Sequence, residues 1–515
     1  MSYVWKDIFL CRFNLRSLWL IIGTGVVVRL IFLGLMDLLP EEAYYWSYAR
    51  HLDFGYLDHP PMVAWLIHVC ETVLGRSELA VRLPAFLAWF GLAYFMYRIA
   101  EDMAGKGSGK VTVLLLAILP IYMSAGFLMT PDAPFYLCWS GGLFFLSRAI
   151  FNGRPGAWYG AGIFLGLGLL SKYTMGLIVP ATVVYMLVDK DARHWFRRPH
   201  PYVALLLGIL LFSPVVYWNL EHQWASFAFQ GTGRWSGVVD LHLDVLLGSI
   251  LVLITPLGLY EAAKVIVDFS KCRRAMQRTD PLRYRQYVFF VTFALVPLLV
   301  FVIHSIQGQP KLNWTGPVWL ALLPLIAASI AGLGIWRNEL VTVKVARRWI
   351  VAASVLIVFY TAAFGYIVSG MPGLGKTAGM KFPIAWEAYG YRIEEIETEL
   401  EVSTKSEPIV IGLDEYWLAS EASFYDPEEI DDVDTLVEVA GQNLVGGNSL
   451  MWNSWVKPQE VRGRHAVLVS FSEDGLRNAR ITKHFAEVGD ITKEVLNNSF
   501  GTIAHFYYRV GYDYR

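Results

Sequence analysis

Charge is scarce in this chain. Only 17% of its 515 residues are Asp, Glu, Lys or Arg, 55% are hydrophobic, and the mean hydropathy is +0.42. Soluble globular chains carry about 25% charged residues, so this composition excludes that class and points to a polytopic membrane protein. A formal net charge of −1 says nothing about partners, and no nucleic acid is expected among them. Cysteine is scarce too: of the four, Cys11 and Cys272 fall in inside regions, Cys138 in a span and only Cys70 in an outer loop, which excludes a disulfide framework. No CxxC or HExxH spacing offers a metal site, no GxGxxG or P-loop offers a nucleotide site, and no internal repeat is present.

What the sequence does have is long apolar segments. Stretches of the length needed to cross about 30 Å of hydrocarbon are read near 17–36, 80–100, 111–129, 133–151, 156–171, 174–188, 201–219, 244–263, 287–304, 314–335 and 349–369, eleven in all. The outward short loops then hold only Arg50, Arg76, Lys172, Arg234 and Lys311. The opposite loops hold the basic clusters Arg193, Arg197, Arg198 and Lys271, Arg273, Arg274, Arg278. The positive-inside rule therefore sets the N-terminus in the cytoplasm and, with eleven crossings, the C-terminus outside. The first apolar segment runs into Pro40-Glu41-Glu42 rather than a small-residue cleavage site, so it is expected to be retained.

The texture changes after Met371-Pro372-Gly373, which sets domain boundaries of 1–371 and 372–515. Strand-like Ile409–Leu413, a helix-like run from Tyr416 to Tyr425, strand-like Ala466–Ser470 and the tail His505–Val510 suggest a small extracytoplasmic α/β domain with parallel pairing.

Chemistry is sought on the outward face. Residues 40–78 are too polar to cross, yet carry Tyr44, Tyr45, Trp46, Tyr48, Phe54, Tyr56 and Trp65, the aromatics favoured at headgroup level; short interfacial helices are expected there. Glu41 and Glu42 read either as helix N-terminal charges or as catalytic carboxylates, and Asp58 before Pro60-Pro61 either as a turn residue or as a base. In Met129-Thr130-Pro131-Asp132, Thr130 can cap a helix that places Asp132 on its positive end; a carboxylate there can also tune its neighbours. Lys172 is a lone cation at the outer end of an apolar hairpin, either snorkelling or facing a lipid phosphate, with Lys311 and Arg234 as further cations on that face.

Glu-Glu-Ala-Tyr-Tyr-Trp at 41–46, Gly-Tyr-Leu-Asp-His-Pro-Pro at 55–61, Ala80-Val81-Arg82-Leu83-Pro84, Thr-Pro-Asp-Ala-Pro at 130–134, Gly-Leu-Leu-Ser-Lys-Tyr at 168–173 and Lys311-Leu312-Asn313-Trp314 form an ordered set over residues 20–320. The set resembles the dolichyl-phosphate-mannose protein mannosyltransferase-like group, glycosyltransferase family 39 of the GT-C superfamily. It is similar as well to the lipid A aminoarabinose transferases and the prenyl-phosphate-dependent galacturonosyltransferases. The resemblance implies a mainly α, polytopic GT-C-like domain in a bacterial inner membrane. The implied reaction moves a sugar from a polyprenyl-phosphate donor to a periplasmic acceptor, a glycolipid such as lipid A or else a protein hydroxyl. The family's first-loop acidic pair usually begins with Asp, a position held here by Glu41; Glu42 and Asp58 therefore stay open as the base, Asp132 matches the later acidic position and Lys172 the basic residue near the donor phosphate. Tyr45, Trp46 and Tyr56 are candidates for stacking on sugar or isoprenoid. The resemblance fixes no cofactor, and His59 with Asp58 admits a divalent cation. A transporter or flippase of lipid-linked sugars is the reading of a different class; it calls for charges near the bilayer midplane and a repeat.

Overall fold

A computed structural model describes residues 15–231, 241–333, 339–370, 385–426 and 438–515. Each of the eleven apolar stretches coincides with helix: α1 Leu15–Phe32, then, after two first-loop helices α2 Pro40–Arg50 and α3 Met62–Leu74, α4 Glu78–Ile99, α5 Ser108–Ile118 with α6 Pro120–Ala125, α7 Asp132–Phe151, α8 Ala157–Leu169 and α9 Ile178–Val188. There follow α10 His200–Glu221, the short α11 Ala225–Gln230, α12 Leu243–Thr279, α13 Pro281–His304, α14 Gly316–Ile330 and α15 Glu339–Ser369. Five of these, including α10, α12 and α13, are long and apolar enough to cross a membrane by length and composition alone, and others are shorter apolar helices. The chain is a multi-pass membrane protein.

One expected span, 111–129, is broken. Leu119 adopts an extended conformation and Pro120 opens the next helix, because proline lacks the N–H that a continuing helix requires. The carbonyls released at the break are met by Arg29, fully buried on α1, whose guanidinium donates to Leu116, Ala117, Tyr122 and Met123 and to its own Gly25 at 3.3–3.5 Å, over the Trp89 ring. In hydrocarbon such carbonyls must be satisfied internally, which explains an arginine there.

The described residues form two compact units. The first comprises the described residues within 15–30, 59–62 and 84–360, the second those within 31–58, 63–83 and 361–515. The boundary expected at 371/372 lies outside the described residues, and residues 31–58 and 63–83 of the first loop group with the C-terminal residues.

The core of the first unit is helical throughout, with Leu114, Trp139, Phe290 and Leu320 fully enclosed. The second unit holds α2, α3, α16 Trp386–Thr404, α17 Trp417–Tyr425 and a five-stranded sheet in the order β2-β1-β3-β5-β4, namely β1 Ile409–Gly412, β2 Val439–Gly441, β3 Ala466–Ser470, β4 Phe485–Asn498 and β5 Gly501–Tyr514. β1 lies parallel to both β2 and β3, with Val410 beside Val439 and Ile411 beside Leu468. The tail departs from the expected parallel pairing: β5 runs antiparallel to β3, because it arrives through the β4–β5 hairpin rather than through a crossover helix.

Candidate active site

Each unit carries one polar constellation in otherwise apolar surroundings. In the first unit, Asp132 opens α7 and is 5% exposed. Its Oδ1 accepts a hydrogen bond from Lys172 Nζ at 2.8 Å and its Oδ2 one from Asn313 Nδ2. Thr130 does not cap the helix with its side chain; the turn closes through the backbone, Ala133 N–H to Thr130 O at 3.1 Å, with Pro131 in the capping position. Lys172 follows α8 in an extended conformation, its N–H bonded to Gly168 O at 2.8 Å, and is 8% exposed. It therefore does not snorkel into water: its ammonium is drawn inward by a carboxylate. The third member, Asn313, comes from the loop before α14. Tyr136, one turn along α7 from Asp132 and so on the same face, donates to Asn313 O at 3.1 Å, while Tyr122 donates to Gly316 O at 3.0 Å. Lys311 in the same loop is exposed.

Gly316 is required by this packing, since a Cβ there would enter the Tyr136 ring. Gly316→Ala is expected to destabilise the fold by about 1–3 kcal/mol, the usual range for overpacking a closed contact, and to loosen Asn313 from Asp132. Thermal unfolding of the detergent-solubilised protein measures the first effect. An unchanged midpoint would mean that the loop yields without cost.

In the second unit, α2 begins at Pro40, so that Glu41 and Glu42 occupy its first turn, where the helix dipole favours negative charge. Their environments differ. Glu42 is fully buried and takes the guanidinium of Arg82, also fully buried, through Nε at 3.0 Å and Nη2 at 2.7 Å; its Oε2 also accepts the Leu39 N–H. The remaining Arg82 hydrogens go to the carbonyls of Leu33, Met36 and Asp37 at 2.7–3.0 Å. Glu41 is only half-buried. Asp58 is 7% exposed, and its Oδ1 accepts from the hydroxyls of Tyr44, at 3.4 Å, and Tyr48. Burial, reinforced by the Asp58 charge, holds both phenols well above the ordinary tyrosine range, so they remain donors to that carboxylate at any working pH. Tyr44 stacks on Tyr416 at 4.5 Å and its oxygen accepts the Met451 N–H at 3.1 Å.

The other predicted residues take varied places. Trp46 is fully buried, donating to Glu71 at 2.9 Å; Tyr56 is fully buried, donating to the carbonyls of Tyr48 and His51 and stacking on Tyr48 at 3.9 Å; Tyr45 is 8% exposed. These rings shape the inside of the loop. His59 is half-buried, in the first unit, and Arg234 lies outside the described residues. Among the described residues no three His, Cys, Asp or Glu side chains converge on a point where a cation would sit, and Asp58 is engaged by two phenols.

Arg82 and Asn313 belong to the sequence motifs, yet sequence alone assigned them no role. An arginine inside an apolar span is itself a signal, because its charge demands a partner. Asn313, between two spans, gives only a faint one.

Residues 58–218, which include Asp58, Asp132 and Lys172 but not Glu41 or Glu42, match the family model described as dolichyl-phosphate-mannose-protein mannosyltransferase. The chain is 25% identical over 206 residues to a lipid A galacturonosyltransferase of Rhizobium johnstonii, covering 36% of this chain and 39% of that protein. It is 24% identical over 361 residues to a lipopolysaccharide core galacturonosyltransferase of the same organism, covering 68% of this chain and 70% of that protein. The first of these alignments thus spans about two-fifths of the relative's own length. In fold, the chain is similar to the crystal structure of ArnT from Cupriavidus metallidurans bound to undecaprenyl phosphate, with a TM-score of 0.64 at 17% identity over 99% of this chain and 98% of that one.

Proposed function

We propose that this chain, which has the GT-C fold and resembles the lipid A aminoarabinose transferases, is an integral membrane glycosyltransferase of a bacterial inner membrane. It transfers a sugar from a polyprenyl-phosphate donor to an envelope glycolipid, with its C-terminal residues in the periplasm. The observation that carries the reading is Lys172: a nearly enclosed ammonium, oriented by Asp132 in a membrane domain whose fold is that of a protein solved with undecaprenyl phosphate.

The reaction asks for three things. An acceptor hydroxyl or phosphate oxygen attacks the anomeric carbon, the bond from that carbon to the phosphate oxygen breaks, and the prenyl phosphate leaves with the electron pair. Lysine has three N–H donors; Asp132 takes one, and the others serve the leaving phosphate, whose growing charge is stabilised most strongly where water is excluded. Asn313 and Tyr136 hold Asp132 and the loop in place, so Lys172 is aimed before the donor arrives. Lys311 adds long-range positive charge from its exposed position.

The proton of the acceptor goes to a carboxylate. Glu42 is fully buried beneath Arg82 whereas Glu41, in the preceding position of α2, is half-buried, and on that difference in access Glu41 is assigned as the proton acceptor. Asp58 fixes Tyr44 and Tyr48 and so the shape of the loop that carries Glu41. Glu41→Gln is then expected to lower turnover by a factor of about 10²–10⁴, the range for loss of a general base, with little change in donor affinity.

The test is mass spectrometry of lipid A and other envelope glycolipids from cells with and without the protein. A sugar-sized increment on a glycolipid that needs wild-type Lys172 supports the reading. Increments on proteins alone would move the acceptor to a protein hydroxyl, and no increment anywhere would overturn transfer in favour of transport.

A further inference from the structure

A carboxyl that this mechanism does not use sits inside the second unit. Glu421, on α17, is fully buried, and neither of its oxygens has a hydrogen-bond partner among the described residues. α17 lies against the first loop: the Phe424 ring meets Trp46 edge to face at 5.1 Å, and Tyr425 donates to Glu78 at 3.1 Å while accepting the Leu38 N–H at 2.7 Å. The groups facing Glu421 are Asp37 from the segment before α2, Glu41 and Glu42 from α2, Arg82 from α4, Tyr389 from α16 and its own neighbour Tyr425. Three further carboxyls thus surround Glu421, and Arg82, the cation that acts on it among the described residues, is bonded to Glu42. An ionised Glu421 would add a further negative charge at a fully buried position where no donor among the described residues meets it, the arrangement buried charges avoid most strongly.

We propose that Glu421 is a positioning residue of the acidic first loop: it fills the α17–α2 interface as a neutral carboxylic acid, keeping α2 seated while the negative charge of that face stays on Glu41 and Glu42. Burial pushes its pKa well above the ordinary carboxyl range, with Asp37, Glu42 and Glu41 acting in the same direction and Arg82 opposing them. The functional part rests on the transferase reading; the protonation state is a property of the fold alone.

The sign of the pH effect follows. In the unfolded chain the group releases its proton near pH ~4.3, whereas the folded chain keeps it, so between those two values the folded state binds more protons and loses stability as pH rises. Glu421→Gln carries no proton to lose. Measured on the full-length protein in detergent, its unfolding midpoint should gain on wild type progressively from about pH 5 to about pH 8, with the gap smallest at the acid end. The wild-type-minus-variant infrared difference near neutral pH should contain the carbonyl band of one protonated carboxylic acid, the contribution of Glu397 cancelling between the two. If Glu421→Gln does not fold, Glu421→Met reads the same difference.

Parallel unfolding curves together with an unchanged infrared band would overturn the proposal. Both readouts need no substrate, so they are independent of whether transfer is ever detected. With a working transfer assay, the alkaline limb of the pH–rate profile should also move to higher pH in Glu421→Gln; a limb that does not move would remove the positioning role and leave a buried neutral acid.

Discussion

Lys172→Met is expected to lower sugar transfer by a factor on the order of 10² to 10³, the usual consequence of removing one aimed donor from a developing anion. It should also cost about 3–5 kcal/mol of stability, because Asp132 would be left in a nearly enclosed position without its cation. The two losses separate in the double variant Lys172→Met with Asp132→Asn. There the orphaned carboxyl is gone, the amide oxygen introduced in place of the carboxylate still accepts from Asn313, and the unfolding midpoint should recover while transfer stays low. Thermal unfolding and turnover of an undecaprenyl-phosphate-linked sugar, measured on the same preparations, give both values. Recovery of transfer along with stability would confine Lys172 to the fold.

Arg82→Met should be the most damaging change for the second unit, at about 3–5 kcal/mol, because it leaves Glu42 fully buried without its partner. Arg82→Lys should recover only part of this. Lysine restores the charge but not the planar fork that reaches Glu42 and the carbonyls of Leu33, Met36 and Asp37 together, so about 1–3 kcal/mol should remain lost for acceptors left unmet. If Arg82→Lys unfolds like wild type, the fork geometry has no bearing on the loop.

Much of this architecture can be read from residue order, for reasons that differ by element. Membrane spans announce themselves because hydrocarbon tolerates little else, and each apolar stretch is indeed helix. The break at Leu119-Pro120 was equally visible in principle, but a window of about twenty residues averages over a single proline. The parallel β1–β3 pair shows as two short runs buried on both faces, Ile409–Gly412 and Ala466–Ser470. Strand β4 stayed hidden: Phe485–Asn498 is mostly polar and exposed, and it is a strand because β5 pairs with it. In the site, Asp132 and Lys172 could be named but not joined. They are forty residues apart, and only the folded chain shows that one answers the other's charge. The same limit applies to Glu42 and Arg82, and to Glu421, an unremarkable helix residue until its surroundings are known.

The grouping of the first loop with the C-terminal residues has a consequence for the order of events in the cell. Asp37 accepts the N–H groups of Trp386 and Glu387, Leu38 gives its own to Tyr425, and Tyr44 receives that of Met451. None of these partners exists when the ribosome has only just delivered residues 31–83, and at about 5–20 residues per second they follow on the order of tens of seconds later. During that interval the loop has its carboxylates but not the walls that set them. A chain that stops before Met451 therefore lacks contacts that hold this loop, however many of its apolar helices are in place.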